Sequence, residues 1–344
     1  MNKPTVQDIF RCFYPAYLEK YSPSPEQAKV ARNILNCKTG AYGANVSVCE
    51  DCGAVQIHYN SCRNRCCPMC QAVPKEMWMD ARREDVLDAP YFHLVFTVPD
   101  ILNPIIYNNQ KLLYDTLYHA ASATISELTA DPKHLGADVG YICILHTWGS
   151  EMNFHPHIHT ILLGGGLTSK NEWKDNGTAF FLPIWAISKV FRGKYMDELK
   201  NLWNTNQLEF HGTAEKYSNH YAFKELIDFC YDAEWIPYCK KTFNGAQSVI
   251  DYLGKYTHRI AISNHRIICM DDGNVTFSVK DYRDKGQWKE LTLSGVEFIR
   301  RFLMHVPPKR FVRIRHYGLL CSRSKHKKLA LCRNLLGCQK YLSK

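Results

Sequence analysis

Three kinds of side chain in this sequence have the type and spacing to do chemistry. The first is a run of alternating histidines, His155, His157 and His159, followed by an apolar stretch to Leu163 and stopped by Gly164, Gly165 and Gly166. On a strand, a period of two puts these three imidazoles on one face and Ile158 on the other. Neutral imidazoles sharing a face suit a divalent metal, although a polar sheet edge gives the same pattern. The second is a cysteine cluster: six of the fifteen cysteines lie between Cys49 and Cys70. Cys49/Cys52 and Cys67/Cys70 form two C-x-x-C knuckles, each able to give two thiolates to one tetrahedral zinc. Cys62 and Cys66 are alternate ligands, for the same ion or a second one. The third is Tyr252 and Tyr256, four residues apart, followed at three residues by Lys255 and Arg259 respectively. On a helix both phenols project from one face, each beside a cation. Tyrosines so spaced also serve as core packing; the repeated cation favours a phenol that attacks a phosphate.

These groups need elements to hold them. Residues 1–45 read as helical, with Ser24, Pro25, Glu26 and Gln27 as a helix start. Residues 46–88 hold the cysteines, and a helix is expected over 78–87. Tyr91 to Val98 is a strand, Asn109 to Leu128 an amphipathic helix, and Val139 to Trp148 a second strand, which carries His146. A short loop leads into the histidine strand, so that the last two strands form a hairpin. The order β-α-β-β is most of a ferredoxin-like split βαβ unit within an α+β fold. Residues 167–245, polar and aromatic, read as an insertion containing two helices. The tyrosine segment reads as a helix from 246 to 259. Strands are expected over 259–270 and 275–282 around the turn Asp271-Asp272-Gly273-Asn274, then a helix over 294–304 with Ser294 and Glu297 as its capping box. The expected domains are therefore 1–45, 46–88, a core domain at 89–282 that carries the histidine strand and the tyrosine helix, and a basic C-terminal region at 283–344.

Charge is distributed unevenly. The 344 residues carry a net +10, yet His305 to Lys344 holds eleven Lys and Arg and no acid, leaving the remainder with 32 basic and 33 acidic groups. The excess positive charge sits wholly in the tail, an electrostatic footprint for nucleic acid. Lys309, Arg310, Arg313, Arg315, Arg323, Lys325, Lys327 and Lys328 are the candidate phosphate contacts there, with Arg63 and Arg65 beside the cysteines. No run of eighteen apolar residues marks a membrane span, and the N-terminus lacks a signal-peptide pattern, so a cytoplasmic, nucleoid-associated protein is expected.

In their combination and order, four segments resemble the rolling-circle transposases of the HUH endonuclease superfamily, specifically the insertion-sequence-ninety-one family. They are Ser61 to Gln71, His155 to His159, Tyr252 to Asn264 and Glu297 to Phe302. The likeness covers most of the chain. In one departure, Cys66 stands where family members often carry His before the second knuckle; both residue types ligate zinc. The resemblance implies a nuclease core in which His157 and His159 hold one Mg²⁺ or Mn²⁺, with His146 as candidate third ligand and His155 the weaker one. It implies attack by Tyr252 or Tyr256 on a scissile phosphate, a 5′-phosphotyrosine link, and no need of ATP. Lys255 and Arg259 would orient the strand or offset its charge. The implied partners are single-stranded or hairpin DNA at the ends of a mobile element, and target DNA; the sequence leaves the oligomeric state unknown. Two alternatives stay open: a histidine-triad nucleotide hydrolase or transferase, and a non-catalytic zinc-containing nucleic-acid-binding protein.

Overall fold

The computed structural model describes residues 3–175, 182–235, 237–243, 248–249, 251–252, 254, 261–281, 284 and 286–338. In chain order its elements are α1 (Val6–Lys20), α2 (Pro25–Asn36), β1 (Ala44–Val48), β2 (Val55–Tyr59), α3 (Ala72–Arg83), β3 (Tyr91–Thr97), α4 (Asn103–Asn108), α5 (Gln110–Ala130), β4 (Asp138–Trp148), β5 (Phe154–Leu167) and β6 (Trp173–Asp175). Then come α6 (Ile184–Asn204), α7 (His220–Asp232), β7 (Tyr238–Phe243), β8 (Ile267–Asp271), β9 (Asn274–Asp281), β10 (Gln287–Ser294), α8 (Gly295–Met304), β11 (Ile314–Gly318) and α9 (Lys325–Leu336). The chain divides into two compact units. One takes residues 1–78, 147–154 and 258–309, and the other 79–146, 155–257 and 310–344.

The first unit is built on helix packing against a small sheet. Reciprocal capping boxes start α1 (Thr5 with Asp8) and α2 (Ser24 with Gln27). Val6, Ile9 and Phe10 of α1 bury against Phe298, Ile299, Phe302 and Leu303 of α8, with Ile34 of α2 and Phe277 of β9 in the same core. Strands β8, β9 and β10 form an antiparallel meander. Its first turn pairs Asp271 with Asn274, and Asp272 and Gly273 between them have φ of +44° and +78°, the sign pattern of a two-residue hairpin turn.

The second unit is a sheet in the order β11-β4-β5-β3-β7, with β6 added on β5. The pairs β11–β4, β3–β5 and β3–β7 are antiparallel, and Gly149 to Asn153 connects β4 to β5. One sheet face carries Leu94, Phe96 and Ile158, all buried; Phe96 meets Phe191 of α6 at a ring distance of 4.9 Å. The opposite face carries His93, Val95 and Thr97 of β3, which pair with Ile161, His159 and His157 of β5. Period-two alternation thus separates an apolar side under the helices from a histidine-bearing side.

Several elements differ from expectation. The helix expected over 78–87 runs from Ala72 to Arg83. The strand expected from 259 begins at Ile267, after a short helical turn over Asn264–Arg266; residues 259 and 260 lie outside the described residues. Ser294 caps α8 by accepting from the Glu297 N–H, but the Glu297 carboxylate does not return the bond. It pairs with Arg300 at 2.6 Å and Arg301 at 2.8 Å, because two guanidinium groups one turn on outcompete a single amide. The stretch read as an insertion contributes α6 and α7 and also the edge strand β7. The C-terminal region expected at 283–344 is shared between the two units.

Candidate metal centres and tyrosine site

Strand β5 brings His157 and His159 to one face, and β4 beside it brings His146. Their ligand nitrogens lie within 4.8 Å of one another, and all three residues are buried. The local hydrogen bonds fix tautomers. His157 Nδ1 lies 2.7 Å from the His155 carbonyl, which only accepts, so Nδ1 carries the proton and Nε2 presents a lone pair. That Nε2 is 3.1 Å from His159 Nε2. His155 is half-buried; its ring lies 5.1 Å from that of His157, but its Nδ1 meets Asp100 at 3.1 Å and it is not one of the three gathered ligands.

The residue that sequence reasoning missed here is His93. It lies on β3 opposite Ile161, diagonal to His159 on the same face. Its Nε2 is 2.9 Å from His159 Nδ1 and 2.5 Å from the Tyr252 hydroxyl. Burial pushes its pKa down to about 4, which keeps the ring neutral. The only sequence signal was a histidine within a strongly apolar strand, and its meaning depends on the β3–β5 register. Residues 251, 252 and 254 are helical, as expected for the tyrosine segment. Tyr256, Lys255 and Arg259 lie outside the described residues.

The second centre gathers Cys37, Cys62, Cys67 and Cys70, with the four sulfurs within 4.8 Å of one another. Cys62 Sγ is 3.7 Å from Cys70 Sγ, and the Cys62 N–H donates to Cys37 Sγ at 3.5 Å. Crowding drives the thiols apart in acidity. A bond from Cys67 pulls Cys62 down to about 5, while Cys67 is pushed up by its bond to Cys62 and by burial, and Cys70 is pushed up to about 11 by burial. Four thiols that cannot ionise together unaided suit a cation that replaces their protons. Cys37 went unread in the sequence because it stands alone at the end of α2. There the buried Gln7 amide bonds the carbonyls of Ile34 (2.8 Å), Leu35 (3.1 Å) and Cys37 (2.8 Å), fixing the helix end. Cys66 is buried but outside the group. Cys49 and Cys52, expected as ligands, sit at the tip of the exposed β1–β2 hairpin and join no group of three or more ligands among the described residues.

The candidate phosphate contacts also separate. Arg63, Arg65, Lys309, Arg310, Arg323 and Lys327 are exposed, with Arg65 reaching the Pro308 carbonyl at 3.5 Å. Arg315 pairs with Asp115 and lies over the Tyr118 ring at 4.0 Å; Lys325 pairs with Asp85 at 2.8 Å and Lys328 with Asp138 at 2.7 Å. The half-buried Arg313 offers its carbonyl to Leu145 N–H at 3.0 Å. Three of the tail's eleven cations, Arg315, Lys325 and Lys328, therefore pair with acids of the sheet unit through β11 and α9.

Residues 9–98 match a family model described as a transposase zinc-binding domain, and residues 140–328 one described as a putative transposase. The putative transposase y4qJ of Sinorhizobium fredii (strain NBRC 101917 / NGR234) is 41% identical over 97% of this chain and 84% of its own length. The transposase for insertion sequence element IS801 of Pseudomonas savastanoi pv. phaseolicola is 30% identical over 86% of this chain and 71% of its own. At 13% identity, the solved structure of the conjugative relaxase TRWC in complex with oriT DNA spans 75% of this chain and 99% of its own. Its TM-score of 0.26 is too low to define a common fold. Among the described residues no helix is long and apolar enough to cross a membrane.

Proposed function

Since the chain belongs to the insertion-sequence-ninety-one-like transposases, with their zinc-binding domain at its N-terminal end, we propose that the histidine cluster and Tyr252 are its strand-cutting site. The reading rests on one observation: Tyr252, far from the histidines in sequence, puts its hydroxyl 2.5 Å from His93, which contacts His159 at 2.9 Å. His146, His157 and His159 would hold one Mg²⁺ or Mn²⁺. The outward Nδ1–H of His157 and the convergence of three buried ring nitrogens fit such an ion, and imidazole ligands favour Mn²⁺ over Mg²⁺. When bound, the ion polarises a non-bridging oxygen of the scissile phosphate and offsets its charge.

Tyr252 Oη forms the new bond to phosphorus as the bond to the 3′-oxygen breaks, giving a 5′-phosphotyrosine and a free 3′-OH. Tyr256 would serve as second acceptor, with Lys255 and Arg259 steadying the strand; these three roles rest on the sequence. The order β7-β3-β5-β4 supports a ferredoxin-like split βαβ core. Cys37, Cys62, Cys67 and Cys70 would hold structural zinc. The DNA is single-stranded or hairpin at the element ends, together with target DNA, and the exposed Arg63, Arg65, Lys309, Arg310, Arg323 and Lys327 would grip its phosphates.

The test is incubation with labelled single-stranded DNA bearing an element end and Mn²⁺. A covalent protein–DNA adduct is expected, lost in the Tyr252→Phe, Tyr256→Phe double variant. His157→Ala should lose the adduct and keep DNA binding. An adduct that survives in the double variant refutes the nucleophile assignment.

A further inference from the structure

We propose that the β1–β2 hairpin is a self-association surface, on which a second copy of this chain packs its own hairpin face to face and antiparallel.

The hairpin is built with one apolar side. Its register pairs Ala44 with Tyr59, Val46 with Ile57 and Val48 with Val55, and residues directly opposite share a face. Alternation therefore gathers Val46, Val48, Val55, Ile57 and Tyr59 on one side and leaves Asn45, Ser47, Gln56 and His58 on the other. The five large apolar side chains are 50–63% exposed, and every residue from Ala41 to Tyr59 is exposed. A two-stranded hairpin is marginal in water unless its apolar face packs on another layer. Its base is nevertheless fixed. The Lys38 N–H donates to the Asn60 carbonyl at 3.1 Å and the Asn60 N–H to the Gly43 carbonyl at 3.0 Å, and Cys37 and Cys62 of the four-cysteine group flank these bonds. The ribbon is thus held at one end with its apolar side presented outward.

Charge selects the partner. Glu50 and Asp51 sit at the exposed tip, where the Cys49 N–H donates to the Ala54 carbonyl at 2.9 Å and closes the turn. Between Lys38 and Arg63 the chain has no Lys or Arg. A two-stranded ribbon fits the major groove in shape, but an acidic tip without a cation opposes the phosphates. A second copy is complementary instead. The strands are about 17 Å long. Stacking two hairpins about a two-fold axis that lies across the strands puts the tip of each over the base of the other. There Glu50 and Asp51 of each copy meet the exposed Lys38 of the partner subunit, while the two apolar sides close on each other. Every contact is made twice, as an isologous pair requires. The patch is on the order of a few hundred Å² per copy. The pair therefore buries less than the ~1,200 Å² of a stable interface and associates reversibly, with Kd on the order of micromolar.

The experiment is sedimentation velocity of the full chain, its cysteine site loaded with zinc, across a concentration series. The natural protein is expected to pass from monomer to dimer as concentration rises. Ile57→Lys, at an exposed position in the middle of the face, should weaken the dimer at least about tenfold and leave zinc content and melting temperature unchanged. Glu50→Lys combined with Asp51→Lys, and separately Lys38→Glu, should each weaken it several-fold by setting like charges together. Mixing these two variants should restore pairing, because a mixed dimer has complementary charges at both tip–base contacts. That recovery requires the tip of one copy at the base of the other. A chain that stays monomeric throughout, a dimer that Ile57→Lys leaves intact, or charge reversals that neither weaken the pair nor rescue each other overturns the inference. Oligonucleotide binding is measured beside it. Loss of DNA affinity in Ile57→Lys with self-association unchanged assigns the face to nucleic acid and overturns the inference as well.

Discussion

Cys37→Ser is the substitution on which sequence and structure disagree most sharply. The knuckle spacing makes Cys49 and Cys52 ligands and leaves Cys37 out. The structure gathers Cys37 with Cys62, Cys67 and Cys70 and leaves Cys49 and Cys52 on an exposed hairpin. Structural zinc in small domains is held by roughly 10–16 kcal/mol, or ~3 kcal/mol per thiolate when spread over four ligands. At 1.4 kcal/mol per tenfold, replacing one thiolate by a hydroxyl should weaken zinc roughly a hundredfold. Cys37 is fully buried and its carbonyl is fixed by Gln7, so neither water nor a displaced neighbour can readily fill the vacant position. The assay is zinc competition against a chromophoric chelator, with metal content measured in parallel. Cys37→Ser should release zinc at about a hundredfold lower chelator, and Cys49→Ser should match the natural protein. The opposite ranking, with Cys49→Ser releasing zinc and Cys37→Ser retaining it, refutes the four-cysteine site and restores the paired knuckles.

Three further outcomes are expected. Gly318, at the end of β11, has φ of +58°, and a Cβ there would meet the Val139 carbonyl oxygen at 1.8 Å, so Gly318→Ala should cost about 2–4 kcal/mol in chemical denaturation; a loss under ~1 kcal/mol would contradict the close approach of β11 to β4. Burial pushes His316 down to about 4, below its ordinary value of 6.5, so the unfolded chain takes up the proton first. Stability should therefore fall as pH drops from about 6.5 to 4, by ~2 kcal/mol from this residue, and His316→Asn should flatten that slope in pH-dependent melting. Arg315→Ala, which removes an ion pair and a ring contact, should lower stability by about 1–2 kcal/mol, whereas Lys327→Ala on the exposed side of α9 should leave stability unchanged and reduce the salt dependence of DNA binding by about one ion; equal effects of the two on melting would refute the division of the basic tail.

The features legible in the sequence were those carried by local period and local chemistry. Alternation along β5 was enough to put His157 and His159 on one face, because side chains on a strand alternate wherever that strand lies. Ser24 with Gln27 marked a helix start, and Asp272-Gly273 a hairpin turn, because capping and positive φ are settled within four residues. The cysteine cluster announced zinc by its C-x-x-C spacing. The pairing of residues across strands and between distant segments of one unit was not legible. His93 looks like any histidine on an apolar strand until the β3–β5 register sets it diagonal to His159, and Cys37 looks like a helix end until the chain folds back over it. The basic tail was visible as charge, but only tertiary contacts with Asp85, Asp115 and Asp138 decide which of its cations are already neutralised. Sequence spacing determines which side chains can share a face or a turn, whereas a site assembled from separate strands depends on register and packing, which long-range burial alone selects.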